Sequence, residues 1–139
     1  MANLHRGEIE ATLDGEILWT LDYPKESGIY EKAEQYAPTS VAPLPDGGFL
    51  VADGYGRSWI HRYDKDRKYV KSFGGPGTEL GKLQTPHGIW LETRGKEPVL
   101  LVADRENQRI QVFDLDGKPL REVKDLEHED RKSTRLNSS

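Results

Sequence analysis

The sequence predicts an all-β protein built from repeated antiparallel sheets. Segments with the same residue pattern recur after about 50 positions, since Pro38 and Pro86 are 48 apart and Asp53 and Asp104 are 51 apart. Each repeat holds four short runs of aliphatic and aromatic residues, separated by turns that contain Gly, Asp or Asn. Four antiparallel strands in a period of about 50 residues are typical of a β-propeller blade. We therefore expect a partial propeller of about two and a half blades.

The repeats divide the chain into units. Leu13-Asp14-Gly15 aligns with Leu115-Asp116-Gly117 at twice the repeat distance, which indicates part of an earlier blade near the N-terminus. Pro24, Gly28 and many charged residues suggest a surface linker after it. The expected units are the last two strands of a preceding blade (1–22), a linker (23–36), a first complete blade (37–75), a second linker (76–84), a second complete blade (85–123) and a disordered tail (124–139).

The last ten residues, 130–139, lack apolar periodicity and read D-R-K-S-T-R-L-N-S-S. They match, residue for residue, one reading frame of a common short-read sequencing adapter. We interpret them as translated adapter, to be left out of fold reasoning, and expect the natural sequence to continue differently. The alternative is a natural, disordered polar tail.

Composition excludes several classes of function. The formal net charge is −4 over 139 residues, which argues against a nucleic-acid partner because such proteins carry basic patches. No apolar run approaches the roughly 18 residues of a membrane-spanning helix, and no N-terminal signal-peptide pattern is present. The chain has no Cys, so thiolate metal sites and disulfides are excluded. The cellular location stays open.

Blade topology gathers chemically capable residues on one rim. In an up-and-down blade, the loop entering the innermost strand and the loop between the second and third strands lie on the same face. We therefore expect Tyr55, His87 and Arg105 near each other, together with Asp53 and Asp104. The two aspartates end equivalent strands and are expected to cap their turns. Structural alternatives are packing for Tyr55, an inter-blade ion pair for Arg105 and an exposed or structural role for His87.

Two longer motifs carry a resemblance. Pro86-His87-Gly88-Ile89, followed by the run V-A-D-R-E-N-Q-R-I-Q-V-F over 102–113, resembles an NHL repeat, the unit of six-bladed propellers. With Asp53-Gly54-Tyr55 included, residues 37–123 resemble the peptidyl-α-hydroxyglycine α-amidating lyases. Those enzymes hold one zinc through three histidines from different blades and release glyoxylate from a C-terminal α-hydroxyglycine.

The resemblance implies a role for each rim residue. His87 would be a zinc ligand, Tyr55 the base that acts on the substrate hydroxyl, and Arg105 the group that binds the substrate carboxylate. Thr39 stands where the first blade would need a histidine, so the other two ligands must come from elsewhere and we expect this chain alone to be inactive. Two alternatives stay open: an NHL scaffold that binds protein, peptide or glycan, and another propeller hydrolase such as a calcium-dependent lactonase.

His61 lies in the third strand of the first blade, away from the rim. Its position predicts a packing role within the blade.

Overall fold

The computed structural model describes residues 2–124, which form three antiparallel sheets. The N-terminal sheet contains β1 (Ala2–His5), β2 (Glu8–Leu13) and β3 (Glu16–Asp22). The first blade contains β4 (Ser40–Pro43), β5 (Phe49–Ala52), β6 (Trp59–Tyr63) and β7 (Tyr69–Gly74). The second blade contains β8 (Pro86–Glu92), β9 (Val99–Asp104), β10 (Arg109–Phe113) and β11 (Pro119–Lys124). The predicted all-β partial propeller is confirmed.

Each blade has its strands in sequence order across the sheet. The third and fourth strands share one irregularity, a register shift at Arg62/Tyr63 in the first blade and at Val112/Phe113 in the second. The same shift occurs between β2 and β3, at Ala11/Thr12. The strands β2 and β3 therefore correspond to the last two strands of a blade.

The N-terminal sheet contains one strand more than the two expected for residues 1–22. The additional strand is β1, which pairs with β2 and so takes the place of a second strand. Its sequence, A-N-L-H, is too short and too polar to show the alternation by which strands are recognised. Pairing with β2, rather than its own residue pattern, makes this segment a strand.

The core consists of two clusters, each between neighbouring sheets. Leu50 from the first blade and Leu100 and Phe113 from the second are fully buried in one cluster. Val51, adjacent to Leu50 and on the opposite face of β5, lies in the other cluster with Ile9 of the N-terminal sheet. Both faces of the first blade are thus covered, which fixes its position in the stack.

Hydrogen bonds between the innermost strands join the two blades near the rim. The Ser40 hydroxyl bonds both the backbone N–H (3.2 Å) and the carbonyl oxygen (3.4 Å) of Ile89. The Thr39 hydroxyl donates to the carbonyl of Pro86 at 2.8 Å. These contacts fix β8, and the His87 that it carries, against the first blade.

Helical structure in residues 2–124 is limited to three short 3₁₀ turns, at Lys25–Ser27, Ala33–Gln35 and Arg105–Asn107. None of the helices in this range has the length and apolarity to span a membrane. The proposed adapter segment, 130–139, lies outside the described residues, as does nearly all of the predicted tail.

Candidate functional site

The three residues singled out at the rim lie together at the boundary between the blades. Arg105 Nη1 donates a hydrogen bond to the Tyr55 hydroxyl at 3.2 Å. The Tyr55 ring packs edge-on against the His87 imidazole, with ring centroids 5.6 Å apart and planes at 70°. All three side chains are exposed, Tyr55 by 55%. The site therefore combines a phenol, an imidazole and a guanidinium that solutes can reach.

Gly54 allows the loop that carries Tyr55 to approach the second blade. A Cβ atom at this position would stand 2.3 Å from the Pro86 carbonyl oxygen and 2.6 Å from the Thr39 hydroxyl. Only glycine fits so close to another backbone. Thr39, which occupies the position equivalent to His87, joins the blades through its hydroxyl, so its side chain has a structural use here.

Asp53 lies beneath the Tyr55 loop and is completely buried. Its Oδ1 accepts the backbone N–H of Ala37 at 2.6 Å, and its Oδ2 accepts that of Arg57 at 2.8 Å and the hydroxyl of Tyr30. The bond from Arg57 is the predicted cap of the turn. Burial raises the pKa of the Asp53 carboxyl, while the hydrogen bonds, that of Tyr30 foremost, act to lower it.

Tyr30 connects Asp53 to His61, which is also completely buried. His61 Nε2 lies 2.8 Å from the Tyr30 hydroxyl and Nδ1 lies 2.7 Å from the Ser72 hydroxyl. Burial lowers the pKa of His61 to about 3, so the ring is neutral at neutral pH. Because the Tyr30 hydroxyl donates to Asp53, its oxygen accepts from Nε2–H, and Nδ1 then accepts from Ser72. His61 thus has a hydrogen-bonding role in addition to the expected packing.

The sequence analysis did not single out Tyr30, which lies in the linker 23–36. Tyr30 precedes His61 by 31 positions and has no counterpart in the repeat, so neither spacing nor periodicity indicates the contact. The signal available in the sequence was two polar residues in one blade, Asp53 directly after the second strand and His61 within the third, since polar residues in such positions need hydrogen-bond partners.

Asp104, the counterpart of Asp53, has different partners. Its Oδ2 accepts from Arg109 Nε at 2.8 Å and Asn107 Nδ2 at 2.9 Å, and its Oδ1 accepts the backbone N–H of Gln84 at 2.7 Å. The carboxylate of Asp104 therefore binds side chains and a backbone N–H of the preceding linker. Within the described residues it accepts no backbone N–H of its own turn, so the prediction that Asp104 caps this turn is wrong. The buried ion pair with Arg109 compensates its charge.

The turn that carries Arg105 is fixed by the segment leading to His87. The Arg105 N–H donates to the Thr85 carbonyl at 3.3 Å, and the Glu106 N–H donates to the Gln84 carbonyl at 3.0 Å. Arg105 and His87 are therefore positioned by one continuous piece of backbone.

Within residues 2–124, no three His, Asp or Glu side chains are grouped so that they could hold a metal ion. His87 is the histidine at the rim, whereas His61 is buried and engaged through both ring nitrogens. A zinc site with three protein ligands does not fit the described residues alone. They provide one such ligand, and they provide no carboxylate cluster for calcium.

Comparisons with known proteins identify relatives of two kinds. The chain is 38% identical over 93 residues to the mouse peptidyl-glycine α-amidating monooxygenase (63% of this chain, 9% of the relative). It is 38% identical over 73 residues to the Drosophila melanogaster peptidyl-α-hydroxyglycine α-amidating lyase 2 (52% and 17%). It is 30% identical over 105 residues to the human NHL repeat-containing protein 3 (73% and 29%). The chain thus spans less than a third of each of these relatives.

No family model matches the chain. A crystal structure of a protein of unknown function from Bacteroides caccae matches 88% of this chain and 41% of its own, with 20% identity and a TM-score of 0.53. That likeness supports the fold. The relatives confirm the resemblance to NHL-repeat propellers and to amidating lyases.

Proposed function

We propose that this chain, an NHL-repeat propeller segment related to the amidating lyases, carries part of the substrate site of an amidating-lyase-like enzyme. In this site Arg105 binds a substrate carboxylate, Tyr55 acts on the neighbouring hydroxyl, and His87 serves as one metal ligand. The observation that carries the proposal is the direct contact of Tyr55 with both other residues across the blade boundary.

The geometry of Arg105 suits a carboxylate. Its Nη1 donates to Tyr55, which orients the guanidinium plane, and its Nε lies 4.0 Å from Oε1 of the exposed Glu106, while among residues 2–124 its Nη2 has no hydrogen-bond partner. A guanidinium binds a carboxylate at two points and so fixes its orientation as well as its position. In an α-hydroxyglycine the carboxylate and the hydroxyl are attached to the same carbon.

A carboxylate bound at Arg105 would therefore present that hydroxyl near the phenol oxygen of Tyr55, 3.2 Å from Nη1. A base at this point removes the hydroxyl proton, the N–Cα bond breaks, and the carbonyl of glyoxylate forms while the departing amide nitrogen gains a proton. General-base action requires hydrogen-bond reach between the base and the proton. We assign the role of this base to Tyr55, acting as the phenolate, because its oxygen adjoins the guanidinium that would bind the carboxylate.

His87 would supply one of three zinc ligands, and zinc would polarise the substrate's oxygen atoms when bound. The other ligands would come from outside residues 2–124, because no metal-binding group of three is formed within them. This chain alone should therefore release no glyoxylate.

A binding scaffold is the second candidate. The Caenorhabditis elegans protein lin-41 is 44% identical to this chain over 48 residues (34% of this chain, 4% of the relative), and neither its name nor that of NHL repeat-containing protein 3 refers to a lyase. Exposed Tyr and Arg side chains are also frequent centres of protein interfaces. On this alternative, Tyr55 and Arg105 would contact a protein or peptide.

A chimera tests the choice between these functions. The matched segment of the Drosophila lyase is replaced by the corresponding residues of this chain, and glyoxylate release from an α-hydroxyglycine peptide is measured with and without zinc. We expect zinc-dependent release, lowered about 100-fold or more by His87→Ala or Tyr55→Phe. Arg94→Ala, at an exposed arginine outside the site, is the control. A folded chimera that binds zinc but releases no glyoxylate would favour the scaffold.

A further inference from the structure

We propose that Tyr30 is a positioning residue for Tyr55 and hence for the carboxylate site that Tyr55 forms with Arg105. The inference about the position of Tyr55 stands on geometry, whereas its consequence for carboxylate binding rests on the proposed function. Tyr30 acts through Asp53, which it contacts from the linker 23–36.

The first step is the hold of Asp53 on the loop. Its carboxylate binds the N–H of Arg57 on one side of Tyr55 and the N–H of Ala37 in the entry segment. The Tyr55 N–H in turn donates to the Ala37 carbonyl at 3.2 Å. A Cβ atom on Gly56 would stand 2.1 Å from Asp53 Oδ1, so the loop lies directly on the carboxylate. Any displacement of this carboxylate would move the backbone on both sides of Tyr55.

The second step is the hold of Tyr30 on Asp53. Among residues 2–124, no Lys or Arg side chain pairs with Asp53, and the Tyr30 hydroxyl is its sole side-chain donor. A buried carboxylate without a cation depends on its hydrogen bonds for stability. The orientation of the Asp53 side chain is therefore set by Tyr30 together with backbone N–H groups, those of Ala37 and Arg57 among them.

The third step is the fixed orientation of Tyr30. Its ring packs edge-on against Tyr36, with centroids 5.4 Å apart, and its hydroxyl oxygen accepts from His61. Burial raises the pKa of Tyr30 well above its ordinary value, so the hydroxyl keeps the proton that it donates to Asp53. Tyr30→Phe retains the ring and its packing and removes the hydroxyl, which is both the donor to Asp53 and the acceptor for His61 Nε2–H.

Fluorine NMR of the full 139-residue chain, with 3-fluorotyrosine at position 55 only, reports the placement of the phenol directly. We expect Tyr30→Phe to shift and broaden this resonance by more than its native linewidth, in a chain that retains its native circular dichroism. Tyr23→Phe is the matched control: it lies in the same linker, its ring contacts Tyr30 with centroids 6.3 Å apart, and within residues 2–124 its hydroxyl has no hydrogen-bond partner. This control should leave the resonance unchanged.

Calorimetric titration with glyoxylate gives the second readout. Tyr30→Phe should weaken glyoxylate binding about fivefold, because a loop that is less firmly held places the Tyr55 phenol less precisely; fivefold corresponds to about 1 kcal/mol. In a Tyr55→Phe background the same substitution should have no further effect, since Tyr30 acts through Tyr55. Additive losses would overturn the proposal, because a general structural role would weaken binding in either background.

The two readouts separate the inference from the proposed function. If Tyr30→Phe shifts the position-55 resonance but the unsubstituted chain does not bind glyoxylate, the proposed site is contradicted and the positioning role is supported. An unchanged position-55 resonance in folded Tyr30→Phe would overturn the positioning role. If Tyr30→Phe does not fold, His61→Gln serves as the milder variant, because it alters the hydrogen-bond partner of Tyr30. It should shift the position-55 resonance in the same direction by a smaller amount. An unchanged resonance would again overturn the positioning role.

Discussion

The two blades bury an aspartate at the same point of the repeat and stabilise it by different means. Asp53 is held by a tyrosine and backbone N–H groups, next to a neutral histidine. Asp104 is held by a buried ion pair with Arg109. The two blades therefore share the location of the buried carboxylate, but in one it is stabilised by hydrogen bonds from neutral groups and in the other by a cation.

The third strand of each blade determines which partner is available. The register places Trp59 opposite Asp53, directly after the end of β5, where the second blade has Arg109 opposite Asp104. His61 and Gln111 likewise occupy equivalent positions, facing Val51 and Val102. The first blade has no cation at this point, so its loop depends on the linker residue Tyr30.

The largest contrast is expected from removing the charge of each aspartate. Asp104→Asn leaves the buried Arg109 with Glu122 as its remaining acidic partner and should lower the free energy of unfolding by about 3 kcal/mol. Asp53→Asn leaves no buried cation and retains an oxygen for Tyr30 and Arg57, but the Ala37 N–H loses its acceptor, so about 1 kcal/mol is expected. Urea denaturation measures both. Equal losses would show that the two carboxylates are compensated in the same way.

A methyl group at the blade boundary tests the close contact of the first loop. Gly54→Ala would force its Cβ against the Pro86 carbonyl, and we expect a loss of about 2 kcal/mol in the free energy of unfolding. Gly88→Ala, next to His87, is the matched control because no atom lies within 4 Å of its Cβ position. Thermal melts that rank the control as the more damaging substitution would refute this packing.

The pH dependence of stability distinguishes His61 from Gln111. The folded pKa of His61 is about 3 and the ordinary value is 6.5, so below pH 6.5 the unfolded chain takes up a proton that the folded chain does not. Stability from this group is complete above pH 6.5 and is lost as pH falls towards 3, by about 2 kcal/mol at pH 5. His61→Gln should remove this part of the slope. If the free energy of unfolding falls equally between pH 6.5 and pH 5 in the unsubstituted chain and in His61→Gln, this assignment to His61 is contradicted.

The smallest stability effects are expected at the rim. Tyr55→Phe and His87→Ala alter exposed side chains, and each should change the free energy of unfolding by about 0.5 kcal/mol or less. The same substitutions should lower glyoxylate release by the chimera about 100-fold or more. A loss of stability comparable to that of Asp104→Asn would identify the rim residues as structural.

The sequence was sufficient to predict the features that repeat. Strand runs, turn residues and the period of about 50 predicted the blades, and blade topology predicted that Tyr55, His87 and Arg105 would lie on one face. Their location on one face follows from the alternation of strand direction, whereas their contact also requires the close approach that Gly54 allows. The roles proposed for these residues are still predictions.

The features that the sequence did not indicate depend on partners outside the repeat. The strand β1 exists because β2 offers it a hydrogen-bonding edge. Tyr30 reaches Asp53 from a linker without repeat symmetry. Asp104 was expected to cap its turn, but the guanidinium of Arg109, from the neighbouring strand, competes for its carboxylate and charge-assisted bonds are the stronger ones.

The most direct test of the proposed site compares two arginine-to-lysine variants in the lyase chimera, with glyoxylate release as the readout. Lysine keeps the charge of Arg105 and removes its two-point geometry, so Arg105→Lys should lower kcat/KM at least about tenfold, whereas Arg94→Lys should leave it unchanged. Equal activity of the two folded variants would contradict the assignment of Arg105 to the substrate carboxylate.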